Sequence, residues 1–206
     1  MKNLLTLIAF VLLFAGSISA QEEQSGMIKS ANGVLVVWNE PGNYFTIEIK
    51  GKDIKPSQQE RLFKVDGRFF QIQTVEKKAF LKPTDKSLDD KAILAAHRDW
   101  EKEYISGVIK HELKVDSEWL KLPGGQDILA WSYDMPKVAD HQTALRQFYV
   151  AVVKRDHVLL LNTALEKEGE AQASKDFLLQ TLTTLKSSDK PLSLQKASEQ
   201  IKKGTN

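Results

Sequence analysis

No cysteine occurs among the 206 residues. That excludes disulfide staples, thiol catalysis, thiolate-bound zinc and iron–sulfur clusters, and a lipid anchor attached through a cysteine. Charge of one sign is equally scarce: 29 Lys+Arg against 27 Asp+Glu leave a formal charge of +2. Such a balance argues against the basic stripe that a nucleic-acid binder sets against phosphates, so no nucleic-acid partner is expected. Gly-x-Ser-x-Gly, Gly-x-Gly-x-x-Gly and Asn-x-Ser/Thr are all missing, and Pro123-Gly124-Gly125 lacks the Lys-Ser/Thr that completes a phosphate loop. Asp85, Asp89 and Asp90 lack the alternation of a calcium loop. No cofactor is expected.

One apolar run stands out, from Leu4 to Ala15, behind Lys2 and ahead of Ser17, Ser19 and Ala20. It is shorter than the ~20 residues that cross a bilayer, and its flanks are those of a secretory signal over 1–20. The expected product is exported, to a periplasm or beyond the cell, with no membrane span after cleavage. An exported protein without disulfides relies on its packed core, which fits a bacterial envelope or secreted protein.

Residues 21–32 are polar and read as a flexible leader. Val34–Trp38 and Tyr44–Ile49, joined by Asn39–Asn43, read as a hairpin. Arg61–Val65 and Arg68–Val75 read as a second one, because Asp66-Gly67 supplies the positive φ pair of a type I′ turn. Ser87, three residues before Asp90, predicts a helix N-cap. The helix then collects Leu88, Ile93, Ala96, His97, Trp100 and Tyr104 on one face and stops near Gly107. A weaker strand-like stretch with Trp119 follows. Ile128–Tyr133 alternates, Met135–Leu145 connects, and Phe148–Val153 with Val158–Leu161 form central strands about an Asp156-His157 turn. Ala171–Leu185 is an amphipathic helix that Ser187 and Ser188 end, and Pro191–Asn206 is a surface helix or frayed end.

This order predicts one α+β domain over 33–187, with a polar tail at 188–206. Its expected architecture is a mostly antiparallel twisted sheet covered by helices, a layered α/β/α sandwich. The run QFYVAVVKRDHVLLLNTAL and the helix SKDFLLQTLTTL, placed after two hairpins and a mid-chain helix, resemble the PsbP-like superfamily over about 33–187. The resemblance implies that sandwich and a role in binding partners, as in photosystem II assembly subunits, a nuclear import factor that binds a small GTPase, and exported bacterial proteins. It carries over no functional residue.

Chemistry has few footholds. Among the 4 histidines, His97 alone has a carboxylate one helical turn away, Glu101. The pair reads first as a boundary histidine hydrogen-bonded to its neighbour, and second as the start of an acid/base site completed by Asp134 or Asp140. His111-Glu112 lacks the second histidine of a zincin, and His141 and His157 sit beside Asp140 and Asp156 in loop and turn positions. No metal site is expected. Ser132 reads as an outward-facing strand serine. Trp100 and Tyr104 on the helix, with Trp131 and Tyr133 on a strand, could line one binding groove. Lys77, Lys78, Lys82, Lys86 and Lys91 cluster around the helix and read as solvated, with an anionic surface as the alternative.

The leading expectation is a non-catalytic exported envelope protein that binds a protein or lipid-like partner. The alternatives are a small-molecule hydrolase using His97 and Glu101, and a secreted structural protein without a ligand.

Overall fold

The computed structural model describes residues 25–57, 61–85, 87–136 and 144–204. The expected signal segment, Lys86, Asp140 and His141 lie outside these residues. The described chain is α+β and all of its strand pairings are antiparallel, but it builds two sheets rather than the expected one.

The small sheet begins inside the segment read as a flexible leader. Gly26–Ser30 (β1) pairs with Gly33–Glu40 (β2), Met27 opposite Val36 and Ile28 opposite Leu35. With only Met27 and Ile28 as apolar members, β1 carries no readable period, and pairing to β2 creates it. β2 turns through Pro41-Gly42 into Asn43–Lys50 (β3), the expected hairpin. Gly33 opens β2 with φ +154°, and a Cβ there would lie 2.0 Å from the Ile49 carbonyl oxygen. Only glycine allows that approach.

The large sheet runs through Ile54–Pro56 (β4), Leu62–Val65 (β5) and Arg68–Glu76 (β6), then a single 3-10 turn at Lys77–Ala79. Asp66 and Gly67 take φ 49° and 87° between β5 and β6, as the hairpin reading requires. After the helix Asp90–Ile109 (α1) come Asp116–Lys121 (β7), Asp127–Asp134 (β8), Arg146–Lys154 (β9) and His157–Leu165 (β10). The order is β4-β5-β6-β10-β9-β8-β7, so the strands expected at the centre are there. Their turn is Arg155-Asp156, one residue earlier than the sequence suggested, because Arg155 adopts φ 53° and His157 already pairs with Lys154.

Ala171–Thr183 (α2) follows. The chain then forms Lys186–Ser188 (β11), which pairs with β3, where the sequence suggested only the end of the helix. Leu194–Gly204 (α3) closes the tail as a helix against β1, Leu194 meeting Gly26. Asn39 fastens this return, its side chain accepting from the Leu192 N–H at 2.9 Å and donating to the Leu192 carbonyl at 2.8 Å.

Period-two alternation along the large sheet divides the core. One face carries Leu129, Trp131, Tyr133, Tyr149, Ala151, Val158 and Leu160 under α1. The other carries Phe70, Ile72, Ala130, Phe148, Val150, Leu159 and Leu161 under α2 and under Phe45, Ile47 and Ile49 of the small sheet. The layers are therefore helix, sheet, and a composite of helix and second sheet, the expected α+β layering with a second sheet added to one layer. A single helix of α2's length cannot cover a seven-stranded sheet, and the small sheet supplies the remaining apolar cover. Lys154 crosses between the layers, donating to the Tyr44 carbonyl at 3.0 Å with its ammonium 5.2 Å from the Phe45 ring. Burial pulls its pKa down, and the Arg155 charge adds to the effect.

Candidate functional site

α1 gathers most of the residues that the sequence singled out. Its N-cap is Asp89, not Ser87: the Asp89 carboxylate accepts from the Ala92 N–H at 2.8 Å. An oxygen two residues upstream cannot reach the first-turn amides. Asp89→Ala is expected to cost about 1 kcal/mol in urea unfolding; an unchanged midpoint would show that the cap contributes nothing. The helix also runs past Gly107, ending where Lys110 takes the left-handed conformation at φ 52° and donates to the Ser106 carbonyl.

The inner face of α1 holds Ile93, Leu94 and His97. His97 is wholly buried, its ring 5.1 Å edge-on from Phe80 and 5.9 Å from Trp100. Neither ring nitrogen has a hydrogen-bond partner among the described residues, which overturns the expected bond to Glu101. Spacing four residues apart puts two side chains on one helix face, but it does not turn them toward each other. Burial alone lowers the His97 pKa from 6.5 to about 4, so the imidazole is neutral across the physiological range. Burial raises the Glu101 pKa. Glu101 acts electrostatically on Tyr133 and Tyr149, whose hydroxyls lie 3.4 Å apart and whose own pKa values are raised, first by burial.

Asp134 does not join them. On β8 it alternates onto the face opposite Tyr133, where Arg146 donates to it at 2.6 Å and holds its carboxyl below the usual range. His97 and Asp134 thus lie on opposite sides of the large sheet, and the acid/base set built on them is not assembled. Asp140 is outside the described residues. His111 is exposed, and His157 starts β10 with an Nδ1 that has no partner among the described residues. Among the described residues no group of three or more His, Asp or Glu could hold a metal ion, and no helix is long and apolar enough to cross a membrane.

The four aromatic residues expected in one groove are divided between two environments. Trp131 and Tyr133 are buried at 2% and 4% exposure, in a stack where Trp131 and Tyr149 lie 3.8 Å apart at 3°. Trp100 and Tyr104 stack on the outside, 6.3 Å apart at 15°, in a shallow depression of about 480 Å³ shared with Glu103, Gly107 and Val108. The reason is that the buried face turns along α1. At 100° per residue, Tyr104 and Val108 continue the stripe of His97, yet they are 62% and 64% exposed. Ile105 and Ile109 pack against the core in the last turns, and Tyr104 and Val108 beside them are left in water. Val108 was missed by the sequence reading, although its position eight residues after Trp100 was a usable signal.

The lysine cluster is interrupted by acids. Lys77, Lys78 and Lys82 share a depression with Asp85 and Asp156, Lys78 pairs with Glu76, and Lys91 lies 3.9 Å from Asp127.

No family model matches this chain, and no curated protein matches it. Among solved structures it is similar to the solution structure of cyanobacterial PsbP (CyanoP) from Synechocystis sp. PCC 6803. The TM-score is 0.46 at 12% sequence identity, over 86% of this chain and 99% of that one.

Proposed function

We propose that this is an exported, non-catalytic protein that binds a protein partner through the uncovered apolar stripe of α1. The observation that carries the reading is the exposure of Tyr104 and Val108 on the same stripe that buries His97. A core stripe that continues into water costs stability in the free protein, and a partner's groove removes that cost. Helix-in-groove recognition uses anchors at this spacing, here Trp100, Tyr104 and Val108. Asp99 is bridged by Arg98 at 2.7 Å, and the unpaired charge beside these residues, among the described ones, is the exposed Glu103, which repels anionic lipid headgroups and favours a protein groove with a basic rim over a membrane surface. The buried, neutral His97 and the separation of Asp134 from it support the non-catalytic part of the reading.

The test compares immobilised wild-type protein with the double variant Tyr104→Ala, Val108→Glu in envelope extracts. A protein retained by the wild type is expected to fall by about tenfold or more on the double variant, whose melting temperature stays near that of the wild type. Equal retention by both baits, or no retention by the wild type, overturns the proposal.

A further inference from the structure

We infer that the cavity between α2 and the β7–β8–β9 edge of the large sheet is a binding site for a small apolar primary amine. Register assembles it: Ser132 of β8 lies opposite Asp116 of β7 and Phe148 of β9, and Ala130 lies opposite Glu118 and Val150. α2 closes it with Lys175 and Leu178, leaving about 250 Å³. That is below the ~300–1,000 Å³ of drug-sized pockets, so the occupant is small.

Three features define the ligand. The floor is apolar, formed by Ala130, Phe148, Val150 and Leu178. Into it comes one hydroxyl. Ser132 is 7% exposed, and its side chain makes no hydrogen bond to any described residue, which corrects the outward-facing reading of this serine. A polar group so buried is normally satisfied, and with no protein partner among the described residues this hydroxyl is left to water or to an occupant of the cavity. The third feature is the charge at the rim. Lys175 is paired with Glu118. Arg146 serves Asp134 at 2.6 Å and Asp116 only at 3.5 Å, beyond a good hydrogen bond. Asp116 is thus the carboxylate with the weakest partner.

Directly opposed residues on paired antiparallel strands have Cβ atoms ~4.5–5.5 Å apart. One ammonium group placed between Asp116 and Ser132 can donate to both oxygens while its apolar body lies over Phe148 and Leu178. A carboxylate ligand would add a negative charge beside Asp116 and Glu118 and is disfavoured.

Titration of the purified protein with phenethylamine and, separately, 3-phenylpropionate tests this by calorimetry or amide chemical shifts. Phenethylamine is expected to bind saturably at one site, with the carboxylate at least about tenfold weaker. Asp116→Asn, at an exposed edge position, should weaken the amine by about tenfold, and Ser132→Leu should abolish its binding by filling the cavity. If Ser132→Leu fails to fold, Asp116→Asn decides alone. Absence of saturable amine binding, equal binding of the carboxylate, or undiminished affinity in Asp116→Asn overturns the assignment. Tyr104→Ala should leave the amine titration unchanged, which keeps this site separate from the α1 stripe.

Discussion

Phe70→Ala is expected to destabilise the protein by about 3–5 kcal/mol, seen as a large drop in the urea midpoint with little change in slope. Phe70 is wholly buried on β6. Its ring lies edge-on to Phe177 of α2 at 5.2 Å and 6.1 Å from Phe63 of β5, so truncation opens a cavity where helix, hairpin and sheet meet. The neighbouring position is the control. Phe69 is 42% exposed on the opposite face, with Lys64 over its ring, and Phe69→Ala should cost within about 0.5 kcal/mol. A larger loss at Phe69 than at Phe70 would mean that the β5–β6 register is wrong by one residue, since a slip exchanges the two faces.

The second large effect is expected at His97, as a dependence on pH. The folded state holds the imidazole near pKa 4 and the unfolded chain near 6.5, so the unfolded state binds the extra proton between these values. The resulting stability is present in full above pH 6.5 and is lost as pH falls toward 4, by about 3 kcal/mol over the window. Glu101, with its pKa raised, acts in the opposite sense: it favours the folded state at low pH and ceases to as pH rises through its folded value. His97→Leu removes the first contribution alone. It also replaces two unpartnered nitrogens by carbon, worth about 1–3 kcal/mol at neutral pH. The variant should therefore melt higher than wild type at pH 7.5, with the gap widening by about 2 kcal/mol on going to pH 5. Parallel profiles for the two proteins would show that His97 does not titrate with unfolding.

Local signals account for the parts of the fold that could be read in advance. Asp66-Gly67 identified its hairpin because few residue pairs accept two positive φ angles. The runs in β9 and β10 are long enough and apolar enough on both faces to demand a central position. What escaped was decided by distant pairing. Lys-Ser-Ser has no strand character of its own, and β11 exists only because β3 offers an edge. β1 and the division into two sheets have the same origin. At the candidate sites, helical spacing found Trp100, Tyr104, His97 and Glu101, but not that the buried face of α1 turns toward Ile105 and Ile109. Ser132 was passed over because alternation assigns a face without saying whether another element closes it; here α2 does.

The fastening of the small sheet bears on when the molecule can be finished. Asn39 and Leu192, which hold each other through two hydrogen bonds, are 153 positions apart. β3 receives its last neighbour only from Lys186–Ser188. The β2–β3 hairpin therefore keeps one flank bare until residues 186–192 are in place, and closure of such non-local pairs is intrinsically slow. The free edge of β3 is thus the last part of the small sheet to be covered.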